Sequence, residues 1–600
     1  MKKSVFHDHL AFLYGTEKAD ELTTRLLEML SRFQAQNPHL GRPSGPRLDE
    51  QDAILITYGD MVQATGETPL QTLADFLERH LRGRVSTIHL LPFYPYSSDD
   101  GFSVIDYRRV NPALGSWADI ARFQTHFRLM FDAVVNHISA QSDWFQGFLR
   151  GEPAYQNYFT VVAPGTDLSA VFRPRALPLL TEVETIRGRE LVWTTFSADQ
   201  IDLNFANPEL LLEILAILLF YVGQGASFIR LDAIAFIGKE IGTNCLHLPQ
   251  THRIVQLMRS VLDAVAPGVV LITETNVPHQ ENISYLGNGH NEAQMVYNFS
   301  LPPLTLHALH TGNAQTLSQW ADTLLLPSDE VTFFNFLASH DGIGLTPARG
   351  ILPETAITAL AERVQRLGGF VSYRHNPDGS QTPYELNINY LDALGDPDVP
   401  HEDTQFVAKR FLVAQAIMLA LRGVPGLYFH SLFGSRGWPE GVKVSGRNRT
   451  INRQKLQRQQ LEAELADPMG LRHTIFSGFL NLLQQRRAHP AFHPHGGQKL
   501  LDVHPAILAV LRSSPDGRFS ILCLHNVSDQ AHPLVFAWPE RESPARLMDL
   551  LSQEMFTITG NSVALTIQPY QVLWLKPVFP RNDPPTCGER SRTINADLRD

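Results

Sequence analysis

The sequence predicts an α/β chain whose main domain is a (β/α)8 TIM barrel, and three observations carry that prediction. Eight short, β-rich apolar runs recur along the middle of the chain, separated mostly by helix-sized segments. Three of them lead into an acidic residue: Ser227-Phe-Ile-Arg-Leu-Asp232, Val269-Val-Leu-Ile-Thr-Glu274 and Phe333-Phe-Asn-Phe-Leu-Ala-Ser-His-Asp341. Two intervals between runs are too long for plain crossovers and read as insertions. Loops at the C-terminal ends of barrel strands build active sites, so carboxylates placed there read as catalytic rather than structural.

The elements follow in chain order. Leu22, Leu26, Leu27, Leu30 and Phe33 repeat at helical spacing, so residues 1–50 predict an amphipathic helical extension. Asn37-Pro38 and Gly41-Arg-Pro-Ser-Gly-Pro46 end it. Candidate barrel strands are 53–57, 85–91, 128–135, 227–231, 269–273, 295–299, 331–338 and 424–429, which divide the barrel into parts at 51–137, 210–341 and 403–495. The interval 138–209 predicts one inserted loop-rich subdomain and 342–402 a second; long excursions from this face roof the site. After Asp341 the chain reads as polar through Asn376-Pro-Asp-Gly-Ser380, with helix signals returning near Phe406. Short alternating runs over 496–578, with a Ser514-Pro-Asp-Gly517 turn, predict a C-terminal antiparallel β-domain. The tail 579–600 is rich in Pro, Arg and Asp without apolar period and is expected to be disordered.

Bulk properties narrow the function. Six hundred residues exceed what one core supports, which agrees with a large domain plus satellites. A net charge of −11 argues against a nucleic-acid partner, although a local arginine cluster could still hold an anionic substrate. Cys245, Cys523 and Cys587 are odd in number and far apart, without metal or redox spacing. The greasy run 210–222 is too short to span a bilayer and contains Glu213, and the basic start is broken by Asp8, His9 and Glu17. No membrane association and a cytoplasmic location are the expectations.

Breaking a glycosidic bond with retention takes two carboxylates roughly 5 Å apart, one attacking the anomeric carbon and one protonating the leaving oxygen. Asp232 and Glu274, ending neighbouring strands, suit these tasks. Glu274 would need a raised pKa, and Arg230, on the same strand face as Asp232, would keep Asp232 ionised. A lone Arg-X-Asp is usually a salt bridge and a lone strand-end histidine usually structural. Here His137 and His340 adjoin motifs of one presumed pocket. No zinc-binding H-E-x-x-H, phosphate-cradling G-x-x-x-x-G-K or G-x-S-x-G elbow competes.

Together with Asp132-Ala-Val-Val-Asn-His137, these segments resemble the four-segment pattern of the α-amylase superfamily. Ile56-Thr-Tyr-Gly-Asp60, Leu90-Leu-Pro-Phe-Tyr-Pro95, Asp99-Asp-Gly-Phe-Ser-Val-Ile-Asp106, Phe172-Arg-Pro-Arg175, Ser339-His-Asp-Gly-Ile-Gly344 and Arg449-Thr-Ile-Asn-Arg453 are similar to its sucrose phosphorylase group. The likeness spans residues 50 to 575. The N-terminal extension, Arg173-Pro-Arg-Ala-Leu-Pro-Leu-Leu-Thr181, Thr273-Glu-Thr-Asn-Val-Pro278 and Ser380-Gln-Thr-Pro-Tyr-Glu385 look closer to its glucosylglycerate-acting branch.

The resemblance implies a retaining phosphorylase with Asp232 as nucleophile, Glu274 as acid/base and Asp341 as transition-state stabiliser. It implies that Asp99 and Arg449 grip the far hydroxyls of one glucosyl unit, that His137, Arg230 and His340 complete the subsite, and that Phe102 walls it. Phe196 and Gln200 match acceptor-side positions. Where the sucrose enzymes carry Tyr-Gln, this chain reads Tyr384-Glu385, and ionised Glu385 can only accept hydrogen bonds from a hydroxylated acceptor. Arg173 and Arg175 are candidates for phosphate and the glycerate carboxylate. The implied partners are a glucosyl donor, D-glycerate and inorganic phosphate as co-substrate, with no cofactor; a homodimer is compatible. Amylases often hold calcium beside the position of Asn136, but no acidic cluster there requires a metal. Sucrose or sucrose 6-phosphate phosphorylase and α-glucosidase remain the alternatives, separated by acceptor contacts and phosphate dependence.

Overall fold

Eight parallel strands close into a barrel in the computed structural model, which describes residues 3–42, 47–174, 177–375, 380–399 and 401–579. They are β1 (Ile54–Thr57), β2 (Thr87–Leu90), β3 (Arg128–Ala133), β4 (Ala226–Leu231), β5 (Val270–Thr273), β6 (Met295–Tyr297), β7 (Thr332–Phe336) and β8 (Val424–Tyr428). Each pairs with its sequence neighbours, and β8 returns to β1 through Ile54 opposite Gly426. All eight coincide with the apolar runs. Their residues are almost entirely buried, because helices cover one face and barrel-filling side chains the other. The apolar helix Pro208–Gly223 buries ten residues and feeds directly into β4.

Two helices precede the barrel, α1 (Lys3–Tyr14) and α2 (Thr16–Gln36). Leu22, Leu26, Leu30 and Phe33 of α2 are buried, while Leu27 is half-buried at the edge of that stripe. The extension is pinned to the barrel flank by Tyr14 Oη donating to the Phe205 carbonyl at 2.9 Å. Arg25 adds a fork onto Glu209 at 2.6 Å.

The first excursion opens with His137–Ser139 paired antiparallel to Gln200–Asp202, and carries a three-stranded sheet of Val161–Val162, Gly188–Trp193 and Leu180–Thr185. The second carries a sheet of Ile343–Gly344, Gln381–Asn387 and Phe370–His375. It also contains a helix, Glu354–Arg366, where the sequence reading placed polar chain without helix until Phe406. Ile357, Leu360, Ala361 and Val364 are the buried stripe of that helix, and their i, i+3, i+4, i+7 spacing was present in the sequence.

The C-terminal unit is an eight-stranded antiparallel sheet running from Gly497–Leu501 to Val572–Val578. Buried Arg512 reaches from it to the Ala420 and His493 carbonyls, at 2.8 Å each, tying it to the barrel. The predicted tail beyond Phe579 and Cys587 lie outside the described residues. Among the described residues no helix is long and apolar enough to cross a membrane, and Cys245 and Cys523 are buried free thiols.

Candidate active site

Strand register brings the two principal carboxylates together. Leu231 of β4 is the ladder partner of Thr273 of β5, so Asp232 and Glu274 leave neighbouring strands at one level. The Glu274 N–H donates to the Leu231 carbonyl at 3.1 Å, and the Ala233 N–H donates to Glu274 Oε2 at 3.0 Å. Ala233 has φ 48°, a left-handed conformation that non-glycine residues seldom adopt. That turn, directly after Asp232, presents the N–H to the neighbouring carboxyl.

Arg230 lies beneath both carboxyls, only 2% exposed. Its Nη1 is 2.6 Å from Asp232 Oδ1 and 2.5 Å from Asp132 Oδ1, and its Nη2 is 3.8 Å from Glu274 Oε2. Asp132 is the register partner of Arg230 on β3 and also meets His89 Nε2 at 2.7 Å. Burial pushes the Asp132 carboxyl up, but His89 and Arg230 outweigh it and hold the group below its ordinary value.

The remaining carboxyls separate electrostatically. Burial pushes Glu274 up to about 7; Arg230 opposes the shift, and the charges of Asp232 and Asp341 reinforce it. Burial raises Asp232 too, more than Arg230 lowers it. Arg230 does favour the ionised form of Asp232, but its guanidinium is shared with Asp132, whose own charge pushes Asp232 upward. Asp341 goes the other way: burial raises it, but Arg449 and other nearby positive charges bring it well below the carboxylate range. The His340 imidazole is pushed down to about 3 by burial, so it is neutral and free to hydrogen-bond either way.

A second assembly forms around Asp341. Gly344 is the ladder partner of Glu385, which brings Glu385 alongside the chain leaving Asp341. A Cβ at Gly342 would stand 2.5 Å from the Glu385 side chain, so this approach requires glycine. Arg449 joins the two acids, with Nη1 2.5 Å from Asp341 Oδ1 and Nη2 2.7 Å from Glu385 Oε1. Arg453 donates to the His340 carbonyl at 2.9 Å and lies 2.5 Å from Asp100 and 3.7 Å from Asp99. Asp99, Asp100 and Gly101 all have positive φ, and a Cβ on Gly101 would sit 2.5 Å from the Pro92 carbonyl oxygen. For Asp99 and Asp100 this conformation costs about 1–3 kcal/mol each, and such strain clusters at ligand clamps.

Asp99, Phe102, His137, Phe196, Gln200, Asp232, Glu274, His340, Asp341, Tyr384, Glu385 and Arg449 line one cavity of about 100 Å³. Phe102 stacks on His340 at 4.7 Å, and its carbonyl lies 2.8 Å from His137 Nε2 and accepts from Gln200 Nε2 at 2.9 Å. Phe196 packs between His137 and Phe236. Arg173 is not brought into this cavity. It is exposed, and its guanidinium donates to the Leu177 carbonyl of its own loop, so it buttresses that loop. Arg175 lies outside the described residues. Sequence reasoning passed over Asp132 and Arg453 as site residues, although the first opens one quoted segment and the second closes another.

Beside Asn136 the available oxygens already hold a cation. Lys239 Nζ is 3.2 Å from Asn136 Oδ1 and 2.9 Å from Asp202 Oδ2, and it also donates to the Phe236 carbonyl. An ammonium in that position leaves no open ligand set, so these residues do not fit a metal there.

Comparison with known proteins gives the chain's relatives. A family model described as the catalytic domain of alpha-amylase matches residues 81–342. The chain is 49% identical over 577 residues to a glucosylglycerate phosphorylase of Spirochaeta thermophila, covering 95% of this chain and 97% of that relative. It is 50% identical over 568 residues to one of Allomeiothermus silvanus, with the same coverage. The crystal structure of a sucrose 6F-phosphate phosphorylase from Thermoanaerobacter thermosaccharolyticum superposes with TM-score 0.69 at 23% identity, covering 86% of this chain and 98% of that one. At that identity the superposition speaks for the fold.

Proposed function

The chain belongs to the glucosylglycerate phosphorylase family, and on that premise we propose that it catalyses reversible phosphorolysis of 2-O-α-D-glucosyl-D-glycerate to α-D-glucose 1-phosphate and D-glycerate. The observation that carries the chemistry is the level placement of Asp232 and Glu274 at adjacent strand ends, with Arg230 under both. The choice of glycerate is supported by the near-full-length likeness to enzymes of that name.

The reaction runs as two displacements. Asp232 attacks the anomeric carbon, the bond from that carbon to the glycerate oxygen breaks, and the departing oxygen takes the Glu274 proton. A carboxyl raised to about 7 still holds that proton near neutrality, which suits a general acid. Phosphate then occupies the vacated space and one of its oxygens attacks the same carbon. The ester to Asp232 breaks, and Glu274 accepts the proton that phosphate releases, giving retention. Asp341, kept ionised by Arg449, faces the positive charge that develops on the sugar ring. Asp99 and Arg449, which both line the cavity, grip the far hydroxyls of one glucosyl unit. The reading needs no cofactor, and the buried free thiols support a reducing, cytoplasmic setting.

The test is phosphate release from α-glucose 1-phosphate with D-glycerate, fructose, fructose 6-phosphate or glycerol as acceptor. D-glycerate is expected to support the fastest release by a wide margin. Equal use of fructose would remove the glycerate assignment and leave the phosphorylase chemistry standing.

A further inference from the structure

The catalytic cavity and the space in front of it differ in charge. Five carboxylic side chains line the cavity, Asp99, Asp232, Glu274, Asp341 and Glu385, against one arginine, Arg449. The adjoining vestibule, about 440 Å³, retains only Asp99 and Glu385 and adds Arg447 and Arg453 to Arg449. An anion entering a carboxylate-lined pocket needs a cation where the carboxylates thin out.

Two of the vestibule arginines are already committed, Arg449 to Asp341 and Glu385, and Arg453 to Asp100, Asp99 and the His340 carbonyl. An anion beside either meets the carboxylates that hold it. Arg447 is different. It follows Gly446, whose φ of 66° ends the helix Pro439–Ser445, and it is exposed to the vestibule. Among the described residues its guanidinium has no ion pair or hydrogen bond.

We propose that Arg447 is the anion-capturing residue of this vestibule, gripping a small oxyanion with its planar fork. The inference rests on the proposed function, in which two such anions take the same space in turn. Both carry charge beside the oxygen that bonds to the anomeric carbon. In glycerate the carboxylate is on the carbon bearing that oxygen, and in phosphate it is on the phosphorus itself. One cation therefore serves both half-reactions.

Arg447→Ala and Arg447→Lys test this, with melting temperature as the check on folding. Acceptors are compared from α-glucose 1-phosphate: D-glycerate, and glycerol, which has the same skeleton without the charge. Phosphate KM is measured in the phosphorolytic direction. In Arg447→Ala the glycerate-to-glycerol ratio of kcat/KM is expected to fall tenfold or more, and phosphate KM to rise about as much. Lysine should restore part of both, since it keeps the charge and loses the fork. Equal losses on glycerate and glycerol, or an effect on one anion alone, overturn the proposal. If the unmodified enzyme uses neither anion, the proposed function fails and takes this inference with it. If it uses both and Arg447→Ala matches it, only the Arg447 assignment fails.

Discussion

The floor of the site and its roof are held by different forces. Asp132, Arg230, Asp232 and Glu274 are on or one residue beyond paired barrel strands, so backbone ladders fix their relative heights. Glu385, Tyr384 and Gln200 come from the two excursions and Arg449 from the chain after β8, and ion pairs or short antiparallel pairings hold them, as Arg449 does between Asp341 and Glu385. A ladder is cooperative and tolerates little change. An ion pair can be rearranged by one substitution. The floor therefore suits chemistry, and the roof suits the choice of partner for the glucosyl unit.

The sharpest break in this comparison is on the floor. Asp232→Asn should lower turnover on the order of 10⁴-fold or more with the fold intact, since an amide cannot form the glucosyl ester. Appreciable turnover with an unchanged melting temperature would exclude Asp232 as nucleophile.

Next comes Glu274→Gln, expected to slow glucosylglycerate phosphorolysis by about 10²–10⁴-fold. It should spare reaction of α-glucosyl fluoride, whose leaving group needs little protonation; equal loss on both substrates would remove Glu274 from the acid role. The unmodified enzyme should lose donor cleavage as pH rises through about 7, where Glu274 gives up its proton. Stability follows the same sign. The folded carboxyl titrates near 7 and the unfolded one near 4.5, so the ordinary protein loses stability as pH rises between those values. Glu274→Gln escapes that loss. Its melting temperature should exceed the parent's above pH 7, by the equivalent of about 3 kcal/mol at most, and the gap should close below pH 4.5. A pH-independent gap would refute this titration.

Roof substitutions should redirect rather than abolish. Glu385→Gln removes one of the two carboxylates on Arg449, a buried charge-assisted contact worth about 1–3 kcal/mol. Use of D-glycerate should fall about tenfold and the KM for α-glucose 1-phosphate much less. Equal changes in both would place Glu385 with the floor. Arg173→Ala should change either rate less than about twofold, because Arg173 supports its own loop outside the cavity. At the smallest end, a chelator should change neither rate nor melting temperature, since Lys239 fills the oxygen cage beside Asn136. A loss restored by calcium would show that a metal competes for those oxygens.

Legibility followed the same division. Each barrel strand was readable because a strand buried on both faces must be a short, continuous apolar run, and a carboxylate closing such a run stands out. Asp232, Glu274 and Asp341 were visible for that reason. The helix Glu354–Arg366 was overlooked because its charged outer face made the stretch look polar, though Ile357, Leu360, Ala361 and Val364 kept helical spacing. That Arg173 stands outside the cavity lining was not legible, because Arg-Pro-Arg spacing carries no information about which atoms a loop guanidinium will meet. Arg453 was quoted within a motif but given no role, since sequence does not say that its partners come from the Asp99 turn.

The sequence by itself determined the barrel, the two excursions, the terminal β-domain and the acids that stand at the strand ends. Those features are written in local composition, period and order. Only the tertiary structure decided how charge is shared among them. Arg230 is divided between Asp132 and Asp232, Arg449 holds Asp341 to Glu385, and Lys239 fills the cage at Asn136. Coulombic interaction depends on distance and burial, and both arise from chain segments tens to hundreds of residues apart.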